Sequence, residues 1–482
     1  MARRMKRRDV LRGLACGGAG LAVLSHGQSS RGQAAGEKVN LGLIGVGGRG
    51  RWFVDTIPRL GPANVVAICD VDDRKLADTF KRWGDLGKKF ADSKHSWEKR
   101  SAPTFQRLAQ EKPKTFHDFR KMIAEMGDRL DGVIVATPDH THAVASAAAI
   151  KAGKAVFCEK PLTRTVRESR ALRELARKHK VVTAMGNQGT YSGPFRRALE
   201  LIRGGAIGEV TEAHVWNSGG GANRTKPPAG TPPVPEHLHW DLWLGPAAER
   251  PYHPNWMRRN AWRDFGTCQL GNWASHTANL AVMALRVHEL WLAEAPKATI
   301  RVEAKCSSIN HLSFPRWERV TWHVPARGDL KPVPITWYNG AAPGARERID
   351  ALKKKTIEPF RGGMNFAGTL LVGTKGQIHA TGHCMSFALL PEKNYRDVQR
   401  NRPETVASSR GAEMDFLAAC RGGKTPWSNF DYADALNEFL MLGNVATQFD
   451  SPIEFEPVAC KIVNNPDADA ALSGPYRKGW SL

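Results

Sequence analysis

The chain has 482 residues, 41% hydrophobic and 24% charged, with 70 Lys and Arg against 47 Asp and Glu for a formal charge of +23. That length exceeds one ordinary core and predicts two domains, while the composition excludes a disordered or collagen-like chain. The basic residues are scattered and not aligned in a stripe with aromatic platforms, so no nucleic-acid partner is expected.

Residues 1–36 hold Arg3, Arg4, Lys6, Arg7, Arg8, Arg12 and Arg31 against Asp9 alone. "MARRMKRRDVLRG" is a basic region with paired Arg7 and Arg8, and the apolar "LACGGAGLAVL" behind it is too short to span a bilayer. The pattern resembles a twin-arginine signal and predicts a signal segment over 1–36, recognised by the twin-arginine export machinery. An exported, periplasmic protein with no stable membrane anchor is expected. The eight cysteines form no C-x-x-C pair, which predicts buried thiols rather than disulfides or a zinc site.

Over residues 37–165 strand and helix alternate: "VNLGLIG", "RGRWFVDTIPRL", "NVVAICD", "DRKLADTFKRW", "FHDFRKMIAEM", "DGVIVATP", "HAVASAAAIKAG" and "KAVFC". Such alternation predicts a parallel sheet covered on both faces. "TVRESRALRELARKHK" and "VVTAMG" extend it by one unit. Residues 84–114 interrupt it as a polar, Lys-rich excursion without clear period, expected to lie solvated on the surface. Beyond 166 the texture changes. Residues 218–260 are rich in Gly, Pro, Trp and His and read as a long ordered loop. "RVEAKCSSI", "ERVTWHV", "VPITWY" and "TLLVGTKGQIHAT" have strand character and predict a mainly antiparallel open sheet. Two helices, "GAEMDFLAACRG" and "DYADALNEFLMLGNVATQF", are expected to close this second domain, 166–482. The fold class is α/β, a Rossmann dinucleotide-binding domain followed by a second α/β domain.

"LGLIGVGGRGRWF" carries G-x-G-x-x-G as Gly45, Gly47 and Gly50 between a strand and a helix. In that setting the glycines permit a tight turn, approach of a pyrophosphate and close helix–strand packing. Gly48 and Arg49 lie in the same turn and are candidate cofactor contacts. Asp70 stands 20 residues beyond Gly50, at the end of the second strand, where a carboxylate accepts the adenosine ribose hydroxyls. Its charge favours NAD over NADP, although Arg74 nearby suits a 2′-phosphate.

The fourth strand ends in "ATPDHTH", with Thr137, Pro138, His140 and His142, and the fifth in Glu159-Lys160-Pro161. Ligands of open α/β sheets bind beyond the carboxyl ends of the strands, so these turns and the glycine turn converge on one crevice. Lys160 is expected at its nicotinamide end, with a pKa drawn down in a dry cleft and able to move a proton. Asn187 and Gln188, after the sixth strand, are further candidate cofactor contacts.

"IGVGGRG", "CDVD", "DGVIVATPDHTHAVASAAAIKAGKAVFCEKPL" and "GAIGEVTEAHVW", taken in order, resemble the Gfo/Idh/MocA family. The resemblance implies an NAD(P)-dependent oxidoreductase of sugars, inositols or related polyols, with a second domain whose sheet often joins subunits into a homo-oligomer. It also implies a D-x-x-x-H pair on a helix of that domain. The matching stretch, "QLGNWASHTANLAVMALRV", has Asn272 at the Asp position and His276 at the His position. His276 is the candidate acid/base, and Asn272 departs from the pattern because an amide neither takes nor supplies a proton near neutral pH. Asp264, in "WRDFG", is a candidate substitute carboxylate or a helix cap. Trp216, Trp240, Trp243, Trp256, Trp262 and Trp273 offer faces for sugar rings, or simple packing. The histidines of "EHLHW" and "PYHPNW" show no convincing ligand spacing, so no metal is expected. The expected activity is hydride transfer between a carbohydrate or cyclitol carbinol and NAD, with Lys160 and His276 handling the proton. Two alternatives remain: glycoside cleavage or epimerisation through a transient keto-sugar, and a carbohydrate-binding protein whose turnover is impaired by Asn272.

Overall fold

The computed structural model describes residues 37–292, 294, 297–354 and 366–482. The export-signal reading, on 1–36, lies outside the described residues. The first layer is a six-stranded parallel sheet in the order β3-β2-β1-β4-β5-β6. Its strands are β1 (Val39–Ile44), β2 (Ala63–Cys69), β3 (Lys114–Phe116), β4 (Gly132–Val135), β5 (Ala155–Cys158) and β6 (Thr183–Met185). β4 and β5 are buried at every position, because helices cover both faces and leave no solvated side to alternate with. The order reverses between β1 and β4, which pair in parallel, and that switch point opens the crevice beyond the strand ends. The sheet runs past residue 165 and ends with β6.

The 84–114 stretch is not a solvated excursion. The helix Asp73–Ala91 continues through it to a second helix, Ser96–Glu111. The two pack as a hairpin around Trp83, Phe90 and Phe105, all at most 2% exposed. Apolar residues recur there at 83, 86, 90 and 102, 105, 108, which is helical spacing; the many lysines on the outer faces obscured it. Asp72 caps the first helix by accepting from Arg74 N.

The second sheet has nine strands in the order β13-β12-β11-β7-β10-β9-β8-β14-β15. Its strands are β7 (Val210–Asn217), β8 (Ile300–Cys306), β9 (Glu318–Val324), β10 (Val333–Asn339), β11 (Ala367–Gly373), β12 (Gln377–Thr381), β13 (Phe387–Leu390), β14 (Ile453–Glu456) and β15 (Lys461–Ile462). Only β7 and β10 pair in parallel; the other neighbours are antiparallel. The helix Phe430–Ala446 lies against this sheet, with Phe439 stacked on Trp322 at 4.7 Å. The helix Ala412–Cys420, expected in the second domain, instead covers the first: Phe416 meets Phe157 of β5 edge-on at 5.6 Å. Residues 218–239 carry no regular element. Among the described residues no helix is long and apolar enough to cross a membrane, and all seven described cysteines are free.

Candidate functional site

The glycine turn is built by close approach. Gly45 has φ 84°, and a Cβ there would lie 2.8 Å from Ala136 O; a Cβ on Gly50 would lie 1.9 Å from Gly45 O. Gly48, with φ 47°, faces open space. Asp70 braces this turn, its Oδ2 accepting from Val46 N (2.9 Å) and Gly47 N (3.3 Å) and its Oδ1 from Asp72 N (3.0 Å). Burial raises its pKa and the three backbone donors oppose that rise. A carboxylate has about four acceptor sites, so Asp70 keeps room for one ribose hydroxyl in this arrangement, not the two expected. Arg74 is committed to Asp72 through Nε at 3.2 Å and Nη2 at 3.1 Å, an engagement that works against a 2′-phosphate.

Glu159 answers to Arg49. Only 2% exposed, its carboxylate takes Arg49 Nε at 2.8 Å and Lys160 N at 3.2 Å. Gly186 makes room for it, since a Cβ there would meet Glu159 Oε1 at 2.6 Å. Lys160 then reaches across to the second domain, with Nζ 2.5 Å from Asn272 Oδ1 and 3.3 Å from Asn272 O. Asn272 lies in a wide π turn, Leu270–Ala274, that leads into the short helix Ser275–Thr277 holding His276; such turns recur at functional sites. The regular helix expected over this stretch is therefore distorted where the candidate residues sit.

His276 is buried, and its Nδ1 lies 3.0 Å from Asn187 Oδ1. Asn187 Nδ2 donates to Ser275 O at 2.7 Å. The amide oxygen therefore faces the ring, Nδ1 carries the proton, and Nε2 presents its lone pair. Burial, then Lys160, His383 and Arg49, hold the His276 pKa well below the usual imidazole value. Gln188 Oε1 is a buried acceptor with no partner among the described residues.

His383 completes the cluster and was not singled out from the sequence. It lies in the turn between β12 and β13 (Phe387–Leu390). Its ring is 4.4 Å from His276 and 5.1 Å from Trp273. Burial, Lys160 and Arg49 lower its pKa also. It stands 107 residues from His276, and no motif links them.

Other expected residues fall elsewhere. His140 is turned away from the crevice, with Nε2 on Trp243 O at 2.9 Å and the ring against Trp243 and Phe265. His142 sits between two carbonyls, Nδ1 on Pro161 O (2.7 Å) and Nε2 on Thr137 O (2.9 Å). Burial lowers its pKa, but Cys158, Asp139 and the Pro161 carbonyl outweigh burial and push it up to about 9. It is thus a buried cation that ties the turn at Thr137 and Pro138 to the one at Pro161. Asp264 pairs with Arg250 at 2.6 Å and is half exposed, outside the crevice. Trp216, Trp240, Trp243, Trp256 and Trp262 are core; of the six tryptophans only half-buried Trp273 reaches the cluster.

Residues 39–187 match the family model described as oxidoreductase family, NAD-binding Rossmann fold. Over that segment, under a third of the chain, it carries the NAD-binding domain of the Gfo/Idh/MocA family. The chain is 30% identical over 174 residues to a protein of Shewanella sp. (strain ANA-3) named Glycosyl hydrolase family 109 protein 2, covering 36% of this chain and 34% of that one. It is 26% identical over 186 residues to an inositol 2-dehydrogenase of Rubrobacter xylanophilus, covering 38% and 44%. It thus spans less than half the length of either relative. A crystal structure of the WlbA dehydrogenase from Bordetella pertussis in complex with NADH and UDP-GlcNAcA aligns over 86% of this chain and 98% of that one, at 13% identity and TM-score 0.54. That likeness shows a shared fold across both domains. NAD is the cofactor of this family's Rossmann domain, and the residues present fit it: a glycine turn open at Gly48, an orphaned acceptor at Gln188 and a single spare acceptor site on Asp70.

Proposed function

We propose that this Gfo/Idh/MocA protein is an NAD-dependent oxidoreductase of a sugar or cyclitol carbinol, with Lys160, Asn272 and His276 as its catalytic residues. One observation carries the reading: Lys160, at the mouth of the Rossmann sheet, meets Asn272 one turn before His276. Lys160 Nζ occupies Asn272 Oδ1, which leaves Asn272 Nδ2 as an outward donor. His276 Nε2 is the acceptor. Two donors and one acceptor suit an oxygen that passes between alcohol and carbonyl. His276 takes the hydroxyl proton, and the Lys160 ammonium and the Asn272 amide hold the developing negative oxygen. NAD, when bound, supplies the two-electron acceptor or donor. Arg49 and Glu159 position Lys160, and Trp273 and His383 form a wall for the ring.

The test is a panel of polyols and sugars followed at the NADH absorbance. Lys160→Met is expected to lower kcat/KM by about 100-fold or more with NADH affinity nearly unchanged; full activity in that variant overturns the reading. The relatives named as family 109 glycosyl hydrolases favour a second course at the same site, in which oxidation is transient and a glycosidic bond breaks with no net redox. Release of nitrophenol from nitrophenyl glycosides without NADH accumulation selects that course. We further propose a homo-oligomer, tested by light scattering, and export by the twin-arginine route, tested by fractionating cells that carry Arg7→Lys and Arg8→Lys.

A further inference from the structure

We propose that Asp73, His117 and His239 form a binding site for one divalent first-row transition-metal ion, which clamps the irregular 218–239 segment to the Rossmann domain. The three residues come from three places. Asp73 opens the helix that follows β2, His117 directly follows β3, and His239 ends the irregular run just before the short helix Trp240–Leu244.

Backbone pairing sets the approach. Asp73 N donates to His237 O and His239 N to Val71 O, both at 2.9 Å, around an antiparallel bridge between Asp72 and Leu238. Alternation along that bridge buries Leu238 and brings His239 Nε2 to 3.6 Å from Asp73 Oδ1. From the other side His117 Nε2 lies 2.6 Å from the same oxygen, and the two imidazoles stack at 3.8 Å and 28°. The three ligand atoms all lie within 4.8 Å of one another. A tetrahedral zinc site with bonds near 2.0–2.1 Å separates its ligand atoms by about 3.3 Å, so shifts of about an ångström convert this cluster into a coordination sphere.

A hydrogen bond to Asp73 accounts for His117 but not for His239, whose buried Nε2 stands 3.6 Å from the carboxylate and makes no hydrogen bond among the described residues. Buried polar atoms of this kind call for a partner. The neighbouring cavity of about 680 Å³, lined by Asp73 and His117, has room for a water as fourth ligand. Two lysines that line it are engaged elsewhere: Lys81 with Asp85 at 2.8 Å, and Lys112 over the Phe80 ring at 5.8 Å. Two imidazoles and one carboxylate suit Zn²⁺, Co²⁺, Ni²⁺ or Cu²⁺ rather than Ca²⁺ or Mg²⁺. Sequence spacing did not reveal the set because its members are 44 and 122 residues apart.

The experiment uses the full chain, stripped with chelator and titrated with ZnCl₂ by calorimetry, with Co²⁺ absorbance as a second probe. One saturable equivalent is expected, weakened more than about ten-fold in His239→Ala, His117→Ala and Asp73→Asn, and unchanged in the exposed control His95→Ala. Circular dichroism shows whether each variant is folded, and Asp73→Asn preserves shape if the alanine variants are not. Zinc is also expected to slow proteolysis within 218–239 in the native chain and not in His239→Ala. Absence of saturable zinc binding in the native chain, or equal binding in the three ligand variants, overturns the proposal.

Discussion

His276 feels two effects of the same sign. Burial removes water from the charged form, and the Lys160 and Arg49 cations repel a proton. The imidazole therefore stays neutral, ready to accept a proton, at pH values where a free histidine is already half protonated. The acid limb of kcat/KM is expected below pH 6.5, the ordinary imidazole value. Asn272→Asp places a carboxylate on Lys160 and near the ring, which raises the His276 pKa and moves that limb upward. A pH–rate profile of both proteins checks this; a native limb at or above 6.5, or a downward move in the variant, contradicts the assignment. The neutral Asn272 has a second consequence. It puts a neutral amide oxygen, not a carboxylate, on Lys160 Nζ, while Arg49 pairs with Glu159.

At the scale of elements, the glycine turn is a meeting of two strand ends. Gly45 approaches the turn after β4, and Gly50 seats the helix Gly50–Thr56 on Gly45 itself. A methyl group at 50, placed 1.9 Å from Gly45 O, cannot be accommodated by a side-chain shift, because the atom it meets is backbone. Gly50→Ala is expected to open the turn and weaken NADH binding by about ten-fold or more, the factor that corresponds to 1.4 kcal/mol. Fluorescence titration of NADH measures it, and unchanged affinity would show that the turn does not hold the dinucleotide. The hairpin of helices over 73–111 makes the complementary point. Trp83 is fully buried and donates to Val54 O at 2.9 Å, so this segment is part of the Rossmann core.

Across the whole molecule, buried histidines couple folding to pH. Burial lowers His140 and His288 to about 4 each, the Arg203 charge adding to the effect at His288. Between pH 4 and 6.5 the unfolded chain protonates these rings and the folded one does not, so stability rises with pH in that window and is lost as pH falls below 6.5. From pH 7 to pH 5 each ring removes about 2 kcal/mol. Urea denaturation at the two pH values is expected to show this loss, reduced by about 2 kcal/mol in His140→Gln; an equal loss in that variant refutes the assignment. His142 acts with opposite sign. Its folded pKa of about 9 contributes stability that is full below pH 6.5 and is lost as pH rises through 9.

Strand–helix alternation, the glycine spacing and the Glu-Lys-Pro after β5 are local patterns, and each was legible because burial on both faces or a tight turn demands particular residues in consecutive positions. Lys160, Asn272, His276 and Asn187 could be named from the chain, since they lie on or beside recognisable motifs. His383, the Asp70 brace, the inward packing of His140 and the Asp73–His117–His239 cluster could not. Each of these depends on segments 23 to 166 residues apart in contact, and side chains that meet only through the packing of distant segments leave no period or spacing in the order of residues along the chain.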